Sequence, residues 1–179
     1  MQKKILKVLP LAEKHLSELL RVRNSLSNRM CSVKTKKILK KEHQKWFSNI
    51  NNSKKDFYYI VMFRKKIIGC IYVKKSRSKK IDYLWGFYTK PNIKIDNLGT
   101  NLKYILFEII FDKLKFKKIY CEVKLNYDWI MNWHIRWGHK IVEKKGKKYI
   151  LQITKNRWLK IKKKLKKNLS QNIKIKLYL

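Results

Sequence analysis

The sequence predicts an α/β (α+β) domain on a mixed, mostly antiparallel sheet flanked by helices. Three observations predict it. Residues 57–63, 67–75 and 81–89 are consecutive aromatic and β-branched runs with short links, the pattern of an antiparallel meander. Residues 98–115 put Leu102, Ile105, Leu106, Ile109, Ile110 and Leu114 on one broad helical face. Residues 118–125 alternate, with Ile119, Cys121, Val123 and Leu125 on one side and Lys118, Tyr120, Glu122 and Lys124 on the other. A meander followed by helix and strand alternation gives the class.

The elements follow in order. Residues 5–10 form a short first strand. Residues 15–23 carry Leu16, Leu19, Leu20 and Val22 as a helical stripe. Residues 24–34 are polar and broken, with Met30 and Cys31 as anchors. Residues 35–50 are helical, with Ile38, Leu39, Trp46 and Phe47 on one face and Glu42 and His43 on its exposed side or edge. Asn51, Asn52 and Ser53 turn the chain into the meander. Arg64, Lys65 and Lys66 make its first turn, Gly69 lies inside the second strand, and Pro91 ends the third. After the strand at 118–125, residues 128–137 read as a helix that Gly138 caps. Residues 140–143 and 149–154 are short closing strands. Residues 1–157 make the domain, and 158–179 are expected to be a frayed basic extension.

Composition excludes several classes. At 179 residues, 45% hydrophobic and 13% aromatic, the chain is too apolar for disorder and long enough for one core. Three separated cysteines (Cys31, Cys70, Cys121) exclude a disulfide framework and are expected to be small buried hydrophobes. No apolar run reaches the roughly 20 residues of a membrane span. Met1, Gln2, Lys3 and Lys4 lead into a stretch interrupted by Lys7 and Pro10, which is no signal-peptide core. A cytoplasmic protein is expected. The net charge of +36 comes almost entirely from 40 Lys against 7 Arg. Lys, Ile and Asn together make 75 of the residues, and their codons are A/T-rich. The excess therefore reads as genome bias, and nucleic acid is disfavoured as a partner, because its readers favour Arg.

The chemistry is expected between Leu84 and Val142. A strand, a loop with Gly99 and a helix N-terminus make a phosphate cradle of free backbone N–H groups. His134 and His139 are five apart with no third ligand nearby, so no metal site is expected. His15 and His43 read as surface positions. Trp129, Trp133 and Trp137 share a helical face and read as core or pocket wall.

On these residues the sequence resembles the GNAT superfamily of acyl-CoA N-acyltransferases. The family loop Q/R-x-x-G-x-G/A corresponds to Lys94-Ile95-Asp96-Asn97-Leu98-Gly99, where Lys replaces Gln/Arg, Asn replaces the first Gly and Gly99 is kept. Leu102, Asn126, and His134 to Gly138 fall at family spacings. Trp85-Gly86-Phe87-Tyr88, Glu42-His43-Gln44-Lys45-Trp46-Phe47 and the segment from Phe111 to Val123 look like the pseudaminic-acid branch. Its members acetylate the 4-amino group of UDP-4-amino-4,6-dideoxy-N-acetyl-β-L-altrosamine.

The resemblance implies acetyl-CoA as co-substrate and a nucleotide-sugar amine as acceptor. It places the pantetheine at the backbone of Tyr88 and Thr89, where the third meander strand and the fifth strand splay near Thr89 and Asn126. The pyrophosphate falls on Asn97, Leu98, Gly99 and Thr100, with Lys94 as an added charge. Glu122 is the implied base, and its alternative is an ion pair with a lysine. His134 takes the position of the tyrosine that protonates the thiolate. The alternatives are a protein N-terminal or polyamine acetyltransferase of the same fold, and a decayed, basic RNA-binding protein.

Overall fold

The computed structural model describes residues 4–33, 35–167, 169 and 173–179. The readings at Met1, Gln2, Lys3 and Lys34 lie outside the described residues. The chain divides into two compact units. The first takes the described residues of Met1–Lys74, Phe87–Asp96 and Ser170–Leu179, and the second takes Lys75–Gly86 and Asn97–Leu169.

The first unit opens with β1 (Lys4–Pro10), a 3-10 turn (Glu13–His15), α1 (Leu16–Arg23), α2 (Leu26–Met30) and α3 (Lys40–Asn51). The strands β2 (Phe57–Phe63) and β3 (Lys66–Lys75) follow. β2 pairs antiparallel with both β1 (Val8↔Val61) and β3 (Ile60↔Cys70). Arg64 and Lys65 both take positive φ, 47° and 63°, which matches the right-handed twist of a two-residue hairpin. The apolar faces explain the packing: Leu19 of α1 lies in one core cluster with Ile60, Ile67 and Cys70, all essentially unexposed. Full burial of such side chains contributes about 1.5–3 kcal/mol each.

Some expectations for this unit need correction. The helix expected at 35–50 starts at Lys40, because Leu39 is its N-cap in extended conformation and its N–H donates to Glu42. Ile38 is instead clamped by Asn24, whose Nδ2 donates to its carbonyl and whose Oδ1 accepts its N–H. His43 is buried, stacked on Trp46 at 4.8 Å. Within the segment expected to be broken, α2 makes a short helix, and Cys31 behind it is exposed.

The second unit contains the start of β4 (Tyr83–Thr89), α4 (Leu98–Glu108), β5 (Lys118–Lys124), α5 (Asp128–Arg136), β6 (Lys140–Lys145), β7 (Lys148–Thr154) and α6 (Lys155–Lys167). β5 pairs parallel with β4 at Leu84↔Tyr120 and antiparallel with β7, and β7 pairs antiparallel with β6. The end of β4, Phe87–Thr89, belongs to the first unit. There a Cβ on Gly69 would meet the Tyr88 carbonyl at 2.6 Å, so only glycine lets the two backbones come this close.

The helix expected at 98–115 widens into a π-turn over Ile109–Lys113, and Lys115 ends it with φ 60°. Tyr120, expected on the polar face of β5, is buried in a cluster with Ile81, Leu84 and Ile150, while Lys118 and Glu122 on the same face are exposed.

Residues 158–167 and 173–177 are not a frayed extension. The first of these stretches provides most of α6, whose Trp158 is fully buried beside Tyr104, Phe107 and Trp137. Lys162 of the same helix pairs with Asp112 at 2.8 Å and Glu108 at 3.2 Å. In the first unit, β8 (Ile173–Leu177) pairs parallel with β1, Leu6 against Ile175. Lysine dominates the surface of α6, and its apolar stripe, with Trp158 and Leu165 buried, packs it on the core beside the Lys162 ion pairs.

Candidate active site

The N-terminus of α4 is built by one strained residue. Asn97 is the N-cap with φ 52° and ψ 26°, the left-handed conformation a glycine takes without cost. Its side chain makes no cap hydrogen bond, and its carbonyl accepts from both the backbone N–H and Nδ2 of Asn101. Leu98, Gly99 and Thr100 form the first turn, where backbone N–H groups have no partner inside the helix. The geometry suits an anion, since the positive end of the helix dipole lies here. Leu98 is buried and anchors the turn, while Asn97 is exposed.

Asn126 follows β5 with φ 68°, exposed, in a turn closed by the Leu125 N–H donating to the Lys147 carbonyl. Glu122, on the exposed side of β5, is paired with Lys148 from the neighbouring strand β7. Tyr88, Thr89 and Lys94 lie in the first unit. Burial holds the Tyr88 phenol well above its usual range, with Cys70 adding to the rise. The Thr89 carbonyl accepts from Asn28 Nδ2 at 2.8 Å, and Lys94 is exposed.

His134 is only 7% exposed, on the inner side of α5. Its Nδ1 lies 3.1 Å from Lys103 Nζ and 3.8 Å from Cys121 Sγ. Strand alternation puts Cys121 and Glu122 on opposite faces of β5, so the fold separates Glu122 from His134. Local sequence explains the neighbouring histidine. Gly138, at φ 79°, closes α5 in a Schellman turn: Gly138 N–H donates to Ile135 and His139 N–H to the His134 carbonyl. His139 Nδ1 meets that same carbonyl at 3.0 Å and so carries the proton, which leaves Nε2 as the free nitrogen. That Nε2 is buried and has no hydrogen-bond partner.

Burial disfavours the charged form of every group in this cluster. Desolvation holds Lys103 well below its usual range, partly opposed by Cys121. Desolvation, then Lys103, does the same to both histidines. Burial pushes the Cys121 thiol up to about 12, against the pull of Lys103. Lys103 Nζ lies 3.9 Å from the Trp133 ring centroid and 4.8 Å from that of Trp137. Trp137 is buried, whereas Trp129 is 70% exposed and no core residue.

Sequence reasoning missed Lys103, Cys121 and His139 as a group. One signal existed: Lys103 lies three, four and seven residues before Leu106, Phe107 and Ile110, on the helix's apolar side.

No family model matches the chain, and no curated protein matches it. Solved structures do. An apo nucleotide-linked sugar GNAT, FdhC, aligns with TM-score 0.77 over 95% of this chain and 98% of its own, at 15% identity. This chain has the GNAT acetyltransferase fold. The spermidine N-acetyltransferase of Vibrio cholerae, in complex with CoA and spermine, shares the GNAT fold with TM-score 0.71 over 86% of this chain and 98% of its own, at 14% identity. The N-acetyltransferase PseH of Campylobacter jejuni gives TM-score 0.61 over 83% and 97%, at 16% identity. Among the described residues, no helix is long and apolar enough to cross a membrane.

Proposed function

We propose that the protein is an acetyl-CoA-dependent N-acetyltransferase whose acceptor is the amine of a UDP-amino sugar of the pseudaminic-acid type. The observation that carries this reading is the first turn of α4, uncapped by any side chain behind left-handed Asn97, within the GNAT fold. Acetyl-CoA supplies an activated acetyl thioester whose pyrophosphate suits the N–H groups of Asn97, Leu98, Gly99 and Thr100. The family resemblance assigns an added charge to Lys94, which is exposed, and the pantetheine to the backbone of Tyr88 and Thr89. Asn126 ends the strand that carries Glu122.

Attack on the thioester carbonyl needs a neutral amine. Glu122 is the group assigned to take the amine proton, directly or through water. Its cost is partial loss of the ion pair with Lys148, a small term at a partly exposed site. His134 is assigned a positioning role inside the core and not the thiolate proton, because its imidazole is buried and engaged. A thiolate with a pKa near that of a free cysteine, about 8.5, picks up its proton from solvent without a dedicated donor.

For the acceptor, the likeness to a nucleotide-linked sugar GNAT extends over 95% of the chain. A net charge of +36 attracts a diphosphate and repels a polyamine. The test is calorimetric titration with acetyl-CoA, followed by mass spectrometry of a UDP-4-amino-4,6-dideoxy sugar, spermidine and an N-terminal alanine peptide as acceptors. Acetyl-CoA binding with acetylation of the sugar alone is expected. Turnover of spermidine or peptide alone would replace the acceptor. Salt-sensitive RNA binding without acetyl-CoA binding would replace the whole reading.

A further inference from the structure

We propose that Cys121, His134 and His139 form a site for one thiophilic transition-metal cation, with the Lys103 amine as a fourth donor. The ligand atoms of the three residues lie within 4.8 Å of one another, and all three residues are buried. Metal–sulfur and metal–nitrogen bonds of about 2.3 and 2.0 Å place tetrahedral ligands about 3.5 Å apart. The 3.8 Å between Cys121 Sγ and His134 Nδ1 is already close to that spacing. The remaining gap closes by side-chain rotation.

An independent observation points the same way. His139 is 3% exposed, and its Nε2 has no hydrogen-bond partner. An orphaned acceptor in a core costs free energy unless something occupies its lone pair. The Schellman turn at Gly138 fixes that nitrogen's orientation, because Nδ1 is committed to the His134 carbonyl. Coordination through Nε2 while Nδ1–H donates to a carbonyl is the usual arrangement of a metal-bound histidine.

The donor set selects the cation. One thiol, two imidazoles and an amine suit Zn²⁺ or Cu⁺, and the absence of a carboxylate disfavours Ca²⁺ and Mg²⁺. Binding displaces the Cys121 thiol proton to solvent and forms the metal–sulfur bond. The ligands come from β5, from α5 and from the link into β6, with Lys103 on α4, so an occupied site would staple three successive elements to the long helix. Since the site is sealed, the cation enters as the chain folds.

The test refolds the full chain from denaturant in the presence of Co²⁺ and removes unbound metal. One cobalt per chain is expected, with a near-ultraviolet thiolate-to-cobalt band and the visible bands of a tetrahedral ion. Both should vanish in Cys121→Ser and persist in Cys31→Ser, whose thiol is exposed. Separate titrations with Zn²⁺ and Cu⁺ bleach the bands, and the cation effective at lower concentration is the preferred one. As a second measurement, Zn²⁺ should raise the unfolding temperature of the wild type and not of His139→Gln, which keeps the proof independent of the cysteine variant's folding. Wild-type protein that folds without retaining cobalt, or bands that survive in Cys121→Ser, would overturn the proposal. Acetyl-CoA binding is not a readout here, so the two proposals fail separately.

Discussion

Lys103 Nζ lies 3.1 Å from His134 Nδ1, with both side chains buried among Trp85, Trp133 and Trp137. The contact joins the middle of α4 to the inner face of α5 without a carboxylate among the recorded partners of either group. Burial without a countercharge disfavours the protonated form of the lysine in such a pair.

This pair sets the pH dependence of stability. Desolvation lowers Lys103, so between its folded pKa and the ordinary value of 10.5 the unfolded chain holds a proton that the folded chain lacks. Stability therefore rises with pH through that window, by up to about 1.4 kcal/mol per pH unit, and is lost as pH falls. His134 and His139, also lowered, add a further loss once pH drops below 6.5. Lys103→Met in metal-free protein should flatten the slope above neutrality and add about 1–3 kcal/mol at neutral pH. Denaturant unfolding measured across pH checks this, and an unchanged slope would show that Lys103 stays protonated in the fold.

Asn97 carries the conformational cost of the phosphate turn. Asn97→Val should destabilise by about 1–2 kcal/mol, and Asn97→Gly should be neutral or stabilising. Gly99→Val should weaken acetyl-CoA binding by roughly 1–3 kcal/mol through lost N–H contacts, read by calorimetry. Unchanged affinity in a folded Gly99→Val protein would remove this turn from the site.

Glu122 is tested apart from its ion pair. Glu122→Gln should lower turnover about 10²–10⁴-fold with acetyl-CoA affinity preserved. Lys148→Met should leave stability within about 1 kcal/mol and keep turnover, because a partly exposed pair contributes little. Equal loss in both variants would assign the effect to the pair. The rate profile should show no limb from His134 near its ordinary 6.5, since burial keeps that ring uncharged well below it.

Trp158 anchors the α6 helix. Trp158→Ala should cost about 3–5 kcal/mol in unfolding free energy, and removal of residues 158–179 should abolish cooperative unfolding of the second unit. A truncated chain with the wild-type transition would restore the reading of this stretch as an extension.

The fold was legible where one face of an element meets water. The alternation of Ile119, Cys121 and Val123 shows that contrast, whereas the meander was legible through its unbroken aromatic and β-branched runs and α4 through its apolar periodicity. Tyr120 was misplaced because it alone on the outward face of β5 is buried, in a cluster with Ile81, Leu84 and Ile150, while Lys118 and Glu122 on that face stay exposed. With 40 lysines, a single buried one at position 103 stood out no more than its neighbours, and the apolar stripe of α6 was swamped. Of the candidate site, the α4 turn was legible because Asn97 and Gly99 are local signals. The Lys103, Cys121, His134 and His139 group was not, because only tertiary folding brings those four positions together.

The parallel pairing of β8 with β1, described above by Leu6 against Ile175, also bears on biosynthesis. One edge of β1 finds β2 as soon as residue 63 has been made, but its other edge stays bare until residues 173–177 exist. Through most of translation the nascent chain therefore presents an open strand template, the kind that recruits a wrong partner. Lys4 and Lys7 on that strand supply the charge that keeps such an edge from pairing with a second copy during the wait.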